Sequence, residues 1–401
     1  MLSRKFLINR SDSLISDTVK RTKSLNILSL LQVVGHPRDS KRIDMLKSAG
    51  FNISALAFHR DYHEGRMPNC SVKSLGRIEN GKYLKRAFKI LFALPKIRRI
   101  AKKYDVIYAS GQDMAAMAKI ATAGLKIPIV LEVGDIVDMQ LSQNFLGYIV
   151  RKVEAILVNS YQLLIVISPG FLEDYYRKRL SVKIPALVLE NKLESSTVNY
   201  NFPEVQQKLF GLPFIDRPLK IGYFGLLRDE WSWNVLRMLV ETYPNRYQVL
   251  FAGKQIVPAN LLDEVKFRSG MEYFGEYESP KDLKELYESV DMIWACYAPI
   301  GENDWNLKWG RPNRFFESCF FKRPVFARYG AHFNNDVEKY KIGKTINKAE
   351  LEDVIDEVNS ITLDQLTGWK NNIEQLSEQV YLYGRESLTL ATEISNLRRN
   401  K

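Results

Sequence analysis

Short apolar runs alternate with amphipathic stretches along most of the chain. In the first half, the pattern predicts strands at 26–34, 52–57, 106–109, 129–133, 155–158, 163–167 and 187–189. A second series follows at 219–224, 247–251, 271–274 and 292–296. Most runs end in a glycine or a polar loop, and helical spacing fills the intervals between them. Strands and helices that alternate in this way are typical of a parallel sheet covered on both faces, so an α/β protein is predicted.

A polar, proline-bearing stretch separates the two series and predicts a linker. A chain of 401 residues is too long for one ordinary core, so we expect two domains. The expected segments are an N-terminal extension (1–24), a first domain (25–192), the linker (193–218), a second domain (219–365) and a closing segment (366–401), with a helix predicted over about 366–398.

Cysteine usage and hydropathy narrow the class of protein. Cys70, Cys296 and Cys319 are far apart, so neither a disulfide framework nor a zinc site is indicated. No run approaches the roughly 20 apolar residues that a membrane-spanning helix needs. Residues 1–24 are basic but lack the apolar core of a signal peptide. We therefore expect a cytoplasmic protein.

The excess positive charge is concentrated in one window. The chain has a net charge of +12, and the window from Arg77 to Lys103 holds ten Lys or Arg residues against one acid, Glu79. Apolar residues recur there every three or four positions. Cations surround them, among them Lys82, Lys85, Arg86 and Lys89. The pattern indicates a basic amphipathic helix, which can lie on an anionic membrane surface.

Two alternatives stay open for this basic window. Nucleic acid would be attracted by the same charges, but no zinc finger, basic zipper or aromatic RNA-binding signature accompanies them, and we expect no nucleic-acid partner. A helix that packs its apolar side in a core and solvates its basic side has the same sequence pattern.

The segment 311–325 places charged groups in an otherwise apolar helix. Its phenylalanines and Cys319 recur at helical spacing, which puts Asn313, Arg314 and Glu317 near the amino-terminal turns. Free backbone N–H groups and the positive dipole end at that place favour a phosphate. A solvated Glu–Arg pair is the alternative interpretation.

At this segment the sequence resembles the GT-B glycosyltransferases, in particular the glycosyltransferase 4-like group, which carries Pro-Asn-Lys-x-x-Glu before a Pro-Val pair. Here Arg314 replaces the lysine, and Pro324-Val325 completes the segment. The resemblance covers roughly residues 25–380. It implies two Rossmann-like domains that face each other across a cleft, with a UDP- or GDP-sugar donor in the second domain and an acceptor on the first. The closing segment is then expected to cross back to the first domain.

The resemblance also implies donor-binding residues. Arg314 matches the lysine that contacts the donor phosphate, and Glu317 matches the glutamate that binds the ribose hydroxyls, with Asn313 beside them. Arg228 follows Gly225 as in the Gly-x-x-Arg of the family, although the lysine usual shortly after it is absent.

Three further positions complete this comparison. Lys254 and Tyr277 lie on loops that approach the nucleotide in the family. Trp309 departs from the pattern, because retaining members carry a glutamate there. That departure leaves open whether transfer retains or inverts the anomeric configuration.

The candidate acceptor-side residues lie in the first domain. Asp135 follows the strand at 129–133 and is the candidate general base, with Asp138 as the second candidate. Relatives often carry histidine where this chain has Gly134. Asp135 could instead cap a helix. His36 and Arg38, on the first loop, are candidates for contacts with the acceptor.

Other nucleotide and metal motifs have little support. Gly343-Lys344-Thr345 resembles the end of a P-loop, but Glu338 stands where the required glycine would be. No G-x-G-x-x-G follows a predicted strand. The histidines lack metal-ligand spacing and there is no Asp-x-Asp, so we expect no metal and no cofactor.

The sequence therefore predicts a metal-independent glycosyltransferase that acts on an acceptor hydroxyl. The basic window suggests a lipid-linked glycan of surface polysaccharide biosynthesis as the acceptor, and a position on the inner face of the cell membrane. Two alternatives stay open: a nucleotide-sugar 2-epimerase on the same fold, and a degenerate sugar-binding or assembly subunit.

Overall fold

The computed structural model describes residues 25–59, 67–77, 83–194, 200, 217–257, 261–302 and 304–397. At 83–88, 90, 91 and 262 it describes the backbone alone. The described residues fall into two compact units. One extends to Asn191 and resumes at Gly384, and the other runs from Lys192 to Tyr383.

The first unit is built on a parallel sheet of seven strands. In chain order its elements are β1 (Asn26–Leu31), α1 (Pro37–Ser48), β2 (Asn52–His59), β3 (Ser71–Arg77), α2 (Tyr83–Ala101), β4 (Val106–Ser110), α3 (Gln112–Ala121), β5 (Ile129–Val133), α4 (Asp138–Leu141), α5 (Phe145–Asn159), β6 (Leu163–Val166), a π-helix (Phe171–Arg179) and β7 (Ala186–Val188). The strand order is β3-β2-β1-β4-β5-β6-β7. The central strands are buried along their whole length, as expected of a sheet with helices on both faces.

The second unit repeats this plan with a parallel sheet of six strands in the order β10-β9-β8-β11-β12-β13. Its elements are β8 (Leu219–Phe224), α6 (Glu230–Thr242), β9 (Tyr247–Ala252), α7 (Leu261–Lys266), β10 (Met271–Tyr273), α8 (Leu283–Glu288), β11 (Met292–Trp294), α9 (Trp305–Trp309), α10 (Asn313–Phe320), β12 (Val325–Arg328), α11 (Asn334–Tyr340), β13 (Gly343–Ile346), α12 (Leu351–Asn359), α13 (Leu363–Glu374) and a 3₁₀ helix (Glu378–Val380).

The two ends of the second unit pair with each other. Leu193 pairs with Leu382: its N–H donates to the carbonyl of Tyr381, and its carbonyl accepts from Tyr383, both at 2.9 Å. Helix α14 (Arg385–Asn396) then packs against α1 in the first unit. Leu193 and Glu194 therefore belong to the second unit, and the rest of the expected linker up to residue 216, apart from residue 200, lies outside the described residues.

The predicted α/β architecture with two parallel sheets is confirmed, but two local predictions are wrong and the edge strands β3 and β13 were not predicted. The apolar run at 155–158 belongs to α5, because a short apolar run fits a helix as well as a strand. Strand β3 was missed, since it is an edge strand with mostly exposed side chains. The helix predicted over 366–398 is interrupted between Glu374 and Arg385.

The rejection of a P-loop at Gly343-Lys344-Thr345 is confirmed, because these residues form β13. A β-carbon on Gly343 would lie 1.9 Å from the carbonyl oxygen of Val325 on β12, so the glycine serves close strand pairing.

Candidate functional site

Three glycine loops lie at the carboxyl edge of the second sheet. Gly225, Gly253 and Gly275 follow β8, β9 and β10 with φ of +113°, +114° and +113°. Gly253 donates to the Gly275 carbonyl at 2.8 Å, and a β-carbon on Gly253 would lie 2.0 Å from the Gly225 carbonyl oxygen. Only glycine allows both this backbone conformation and this approach. The loops therefore stack and present main-chain groups at this edge.

Arg314 lies where the strand order of this sheet reverses. Strands β9 and β10 extend to one side of β8, and β11 to β13 extend to the other. Arg314 Nη1 donates to the carbonyl of Trp294, the last residue of β11, at 2.8 Å, and its guanidinium lies 4.7 Å from the ring centre of Tyr223 on β8. Ligands of open α/β sheets bind at such a switch point, beyond the carboxyl ends of the strands.

The charge of Arg314 is buried, and its partners are neutral. The residue is 7% exposed, and Nη2 donates to the hydroxyl of Tyr297 at 2.8 Å. Within the described ranges no carboxylate forms an ion pair with it. Burial of a guanidinium without a counter-charge is costly, and a bound anion removes that cost. The position therefore suits a charged ligand such as a diphosphate.

Glu317 follows Arg314 on the same helix, α10, and is 4% exposed. It accepts a hydrogen bond from the hydroxyl of Tyr287 at 2.6 Å. The pKa of the Tyr277 hydroxyl is raised above its usual value, mainly because the residue is buried and next because Glu317 is charged. Tyr277 is therefore a neutral hydroxyl close to this carboxylate. Asn313 stands exposed at the first position of α10, whose N-cap residue, Pro312, makes no side-chain cap.

Arg228 and Lys254 stand on the first two glycine loops. Both side chains are exposed. The Leu227 N–H donates to the Lys254 carbonyl at 2.9 Å, which holds the two loops side by side. Asp229 was not singled out from the sequence. It caps α6 through Ser232 and also accepts from the Ala298 N–H at 3.2 Å, so it ties the Arg228 loop to the loop after β11.

Trp309 occupies the position at which retaining glycosyltransferases of the resembled family carry a glutamate. Its ring lies 5.7 Å from that of His332, and Lys308 lies 5.4 Å from its ring centre. Burial lowers the pKa of His332, so this histidine favours the neutral form. The aromatic pair leaves no carboxylate at residue 309.

The first sheet has its own switch point, between β1 and β4. There Ser110 Oγ, at the end of β4, donates to Asp39 Oδ1 in the first turn of α1 at 2.5 Å. Burial raises the pKa of Asp39 to about 6, although the nearby Arg38 opposes the rise. Asp39 was not identified as a candidate, because a single acid in the first turn of a helix usually only stabilises the helix dipole.

A buried ion pair lies beneath this switch point. Arg42 donates to both oxygens of Glu132, at 3.0 and 2.8 Å, and the Tyr108 hydroxyl donates to the same carboxylate. Although burial opposes it, the Arg42 guanidinium keeps the pKa of Glu132 low. The paired charges fix α1 to the sheet and thereby position Arg38, which lies in the first turn of this helix.

Asp135, Arg38 and His36 come together at this edge. Asp135 is exposed, and its Oδ2 lies 3.9 Å from Arg38 Nη1. The Arg38 guanidinium covers Gly134, where a β-carbon would lie 1.2 Å from Nη1. His36 is the N-cap residue of α1. Asp135 does not cap α4: the N-cap residue is Val137, and Asp138 stands exposed at the first helical position.

The structure only partly describes the basic window. Lys82 and the side chains of Lys85 and Arg86 lie outside the described residues. Lys89 Nζ donates to the carbonyl of Arg77 at 2.5 Å, so this cation ties α2 to the end of β3.

A cavity of about 720 Å³ lies at the opposite, amino edge of the second sheet. Arg217 in its wall pairs with both oxygens of Asp291 at 2.7 Å, and Arg246 donates to the carbonyl of Ile361 at 3.0 Å. Because these cations have structural partners, we assign no role to the cavity.

Over the described ranges, no three His, Cys, Asp or Glu side chains are grouped to hold a metal ion. None of the helices described is long and apolar enough to span a bilayer.

No protein-family model matches the chain. The sequence is similar to the succinoglycan biosynthesis protein ExoL of Rhizobium meliloti (strain 1021), with 28% identity over 351 residues that cover 84% of this chain and 85% of that protein.

Solved structures are also similar. Sucrose-phosphate synthase of Thermosynechococcus elongatus matches with a TM-score of 0.66 and 14% identity, over 93% of this chain and 99% of that chain. HepE of Anabaena in complex with UDP and glucose matches with a TM-score of 0.65 and 17% identity, over 93% and 98%. At these identities the likeness establishes a shared fold.

Proposed function

We propose that this GT-B protein is a glycosyltransferase of polysaccharide biosynthesis that moves a sugar from a nucleotide donor to an acceptor hydroxyl without a metal ion. The observation that carries the proposal is the buried Arg314 charge at the switch point of the second sheet, with Glu317 one turn further along α10. Membership of the glycosyltransferase 4-like group stays a prediction.

In this proposal the second unit binds the donor. The Arg314 guanidinium contacts the diphosphate, whose negative charge grows as the glycosidic bond breaks. Glu317, held by Tyr287, accepts hydrogen bonds from the ribose hydroxyls. Arg228 and Lys254 reach the phosphates from the glycine loops, and Asn313 lies at the amino end of the same helix as Arg314. The UDP and glucose complex of HepE supports UDP as the first nucleotide to test.

The first unit supplies the acceptor side. Asp135 takes the proton from the acceptor hydroxyl as that oxygen bonds to the anomeric carbon, and the nucleoside diphosphate leaves with the electron pair of the broken bond. Arg38 holds the Asp135 carboxylate in position, and His36 contacts the acceptor. Asp138, exposed on the next helix, is the second candidate base.

The acceptor in this proposal is a lipid-linked glycan, and the protein works at the inner face of the cell membrane. The similarity to a succinoglycan biosynthesis protein supports a glycan acceptor. The basic residues of α2 support a position on the membrane.

The test is a transfer assay on the full chain with radiolabelled UDP-glucose, UDP-galactose and UDP-N-acetylglucosamine, with a membrane lipid extract as acceptor source. We expect one donor to release UDP and to pass label to the lipid fraction only when the extract is present. A free epimerised sugar without extract would favour a 2-epimerase. Donor binding without release of UDP would favour a degenerate subunit.

A further inference from the structure

Helix α5 presents an apolar row to solvent. Phe145, Ile149, Val153 and Ile156 recur three or four residues apart, with Phe145 77% and Ile156 72% exposed. Leu146 and Tyr148 are exposed beside them. The buried side of α5 carries Gly147, Glu154 and Val158. Because single exposed apolar residues are ordinary but a contiguous row is not, this face marks an interaction surface.

The exposed charge of α5 is positive, whereas its acid is buried. Glu154 is the acid of this helix, and it is buried and accepts hydrogen bonds from Tyr175 at 2.7 Å and from Gln112 and Gln140. Lys152 is exposed, with Nζ 5.5 Å from the ring centre of Tyr148. The outward side of the helix is thus apolar, aromatic and cationic.

Two neighbouring helices extend this surface. Gln112 and Lys119 of α3 donate to Glu154 and to the carbonyl of Ser160, at 2.8 and 3.0 Å, so α3 lies against α5. Arg98 of α2 donates to the carbonyls of Ala121 and Ala123, at 2.9 and 2.8 Å, so α2 lies against α3.

These two helices also expose apolar and cationic residues. Large apolar side chains stand out to solvent at Ile120 on α3 and at Phe92 on α2. Arg99, Lys102 and Lys103 are exposed at the end of α2. We call the layer of α2, α3 and α5 the helical face.

We propose that the helical face docks on an anionic lipid bilayer. The apolar row of α5 inserts among the headgroups, and the cations of α2 and α5 contact the anionic lipid phosphates. The proposal deepens the proposed function and rests on it for the lipid acceptor. Charge complementarity selects the bilayer over a second copy of this chain, because two such faces would bring like charges together. Apolar insertion flanked by aromatic rings and cations is how interfacial helices bind lipid.

The test is co-sedimentation of the full chain with vesicles of phosphatidylcholine alone or mixed with phosphatidylglycerol. We expect binding to the mixed vesicles, and at least a tenfold loss of partitioning in a variant with Ile149→Ser, Val153→Ser and Ile156→Ser. Lys152→Glu should weaken binding roughly fivefold or more, and high salt should weaken it further. Phe267→Ser, at an apolar residue of the second unit that is 87% exposed, should leave binding unchanged.

Thermal unfolding checks that each variant is folded, and Lys152→Glu tests the face independently of the triple variant. Equal sedimentation of wild type and triple variant would overturn the proposal. A dimer in sedimentation equilibrium that the triple variant dissociates, without vesicle binding by the wild type, would assign the face to a second copy. UDP affinity is measured in parallel, so that a protein that binds vesicles but no nucleotide contradicts the proposed function alone.

Discussion

Arg38 covers Gly134 so closely that a β-carbon at residue 134 would lie 1.2 Å from its Nη1. The same nitrogen lies 3.9 Å from Asp135 Oδ2. The lack of a side chain at residue 134 thus lets Arg38 reach the candidate base.

Gly134→Ala should therefore act through Arg38. The added methyl group must displace the guanidinium, which is the flexible end of its side chain, and kcat/KM for the acceptor should fall about tenfold, as in Arg38→Ala. Because both changes remove the same interaction, that of Arg38 with Asp135, kcat/KM of the double variant should fall no further than that of either single variant. Kinetics of the four proteins measure this coupling.

Gly368→Ala is the matched control for the added methyl group. A β-carbon there meets nothing within 4 Å, inside α13. It should leave kinetics unchanged and stabilise the helix by about 0.5–1 kcal/mol. Additive losses from Arg38→Ala and Gly134→Ala would contradict the coupling.

Asp39 should make stability depend on pH. Its pKa is raised to about 6 by burial, so between about pH 4 and 6 the folded protein holds a proton that the unfolded chain has released. The free energy of unfolding should therefore fall as pH rises, by about 2 kcal/mol between about pH 4.5 and 7.5. Urea denaturation of wild type and Asp39→Asn measures it, since the variant should lack this component.

An Asp39→Asn protein whose stability varies with pH as the wild type does would show that Asp39 does not titrate in this window.

Asp135→Asn should separate binding from chemistry. The change keeps the shape of the side chain but removes the proton acceptor, so turnover should fall by about two to four orders of magnitude while donor affinity stays the same. Asp138→Asn is the companion variant. If Asp138→Asn loses turnover and Asp135→Asn keeps it, the two roles are exchanged.

Local sequence signals reveal the features that depend on one segment. Charges inside an apolar helix made Arg314 and Glu317 candidates, and alternating strand and helix signals predicted both sheets. The contacts of these residues come from distant elements, Tyr223 on β8 and Tyr287 on α8, so neither tyrosine could be identified.

The same limit explains what was missed in the first unit. Asp39 gains its significance from Ser110, 71 residues away, and from burial that no local pattern reports. Part of helix α5 was predicted as a strand because apolar residues lie on both its exposed and its buried side, so the sequence shows no clear helical period there.

The central claim is that Arg314 binds the donor diphosphate, and calorimetric titration with UDP and with uridine tests it most directly. Arg314→Ala should lower UDP affinity about 10- to 150-fold, equivalent to about 1.5–3 kcal/mol, and change uridine affinity little. Glu317→Ala should weaken both ligands. Arg237→Ala, which removes a half-buried arginine of α6 paired with Glu241, should weaken neither. Wild-type UDP affinity in Arg314→Ala would contradict the account.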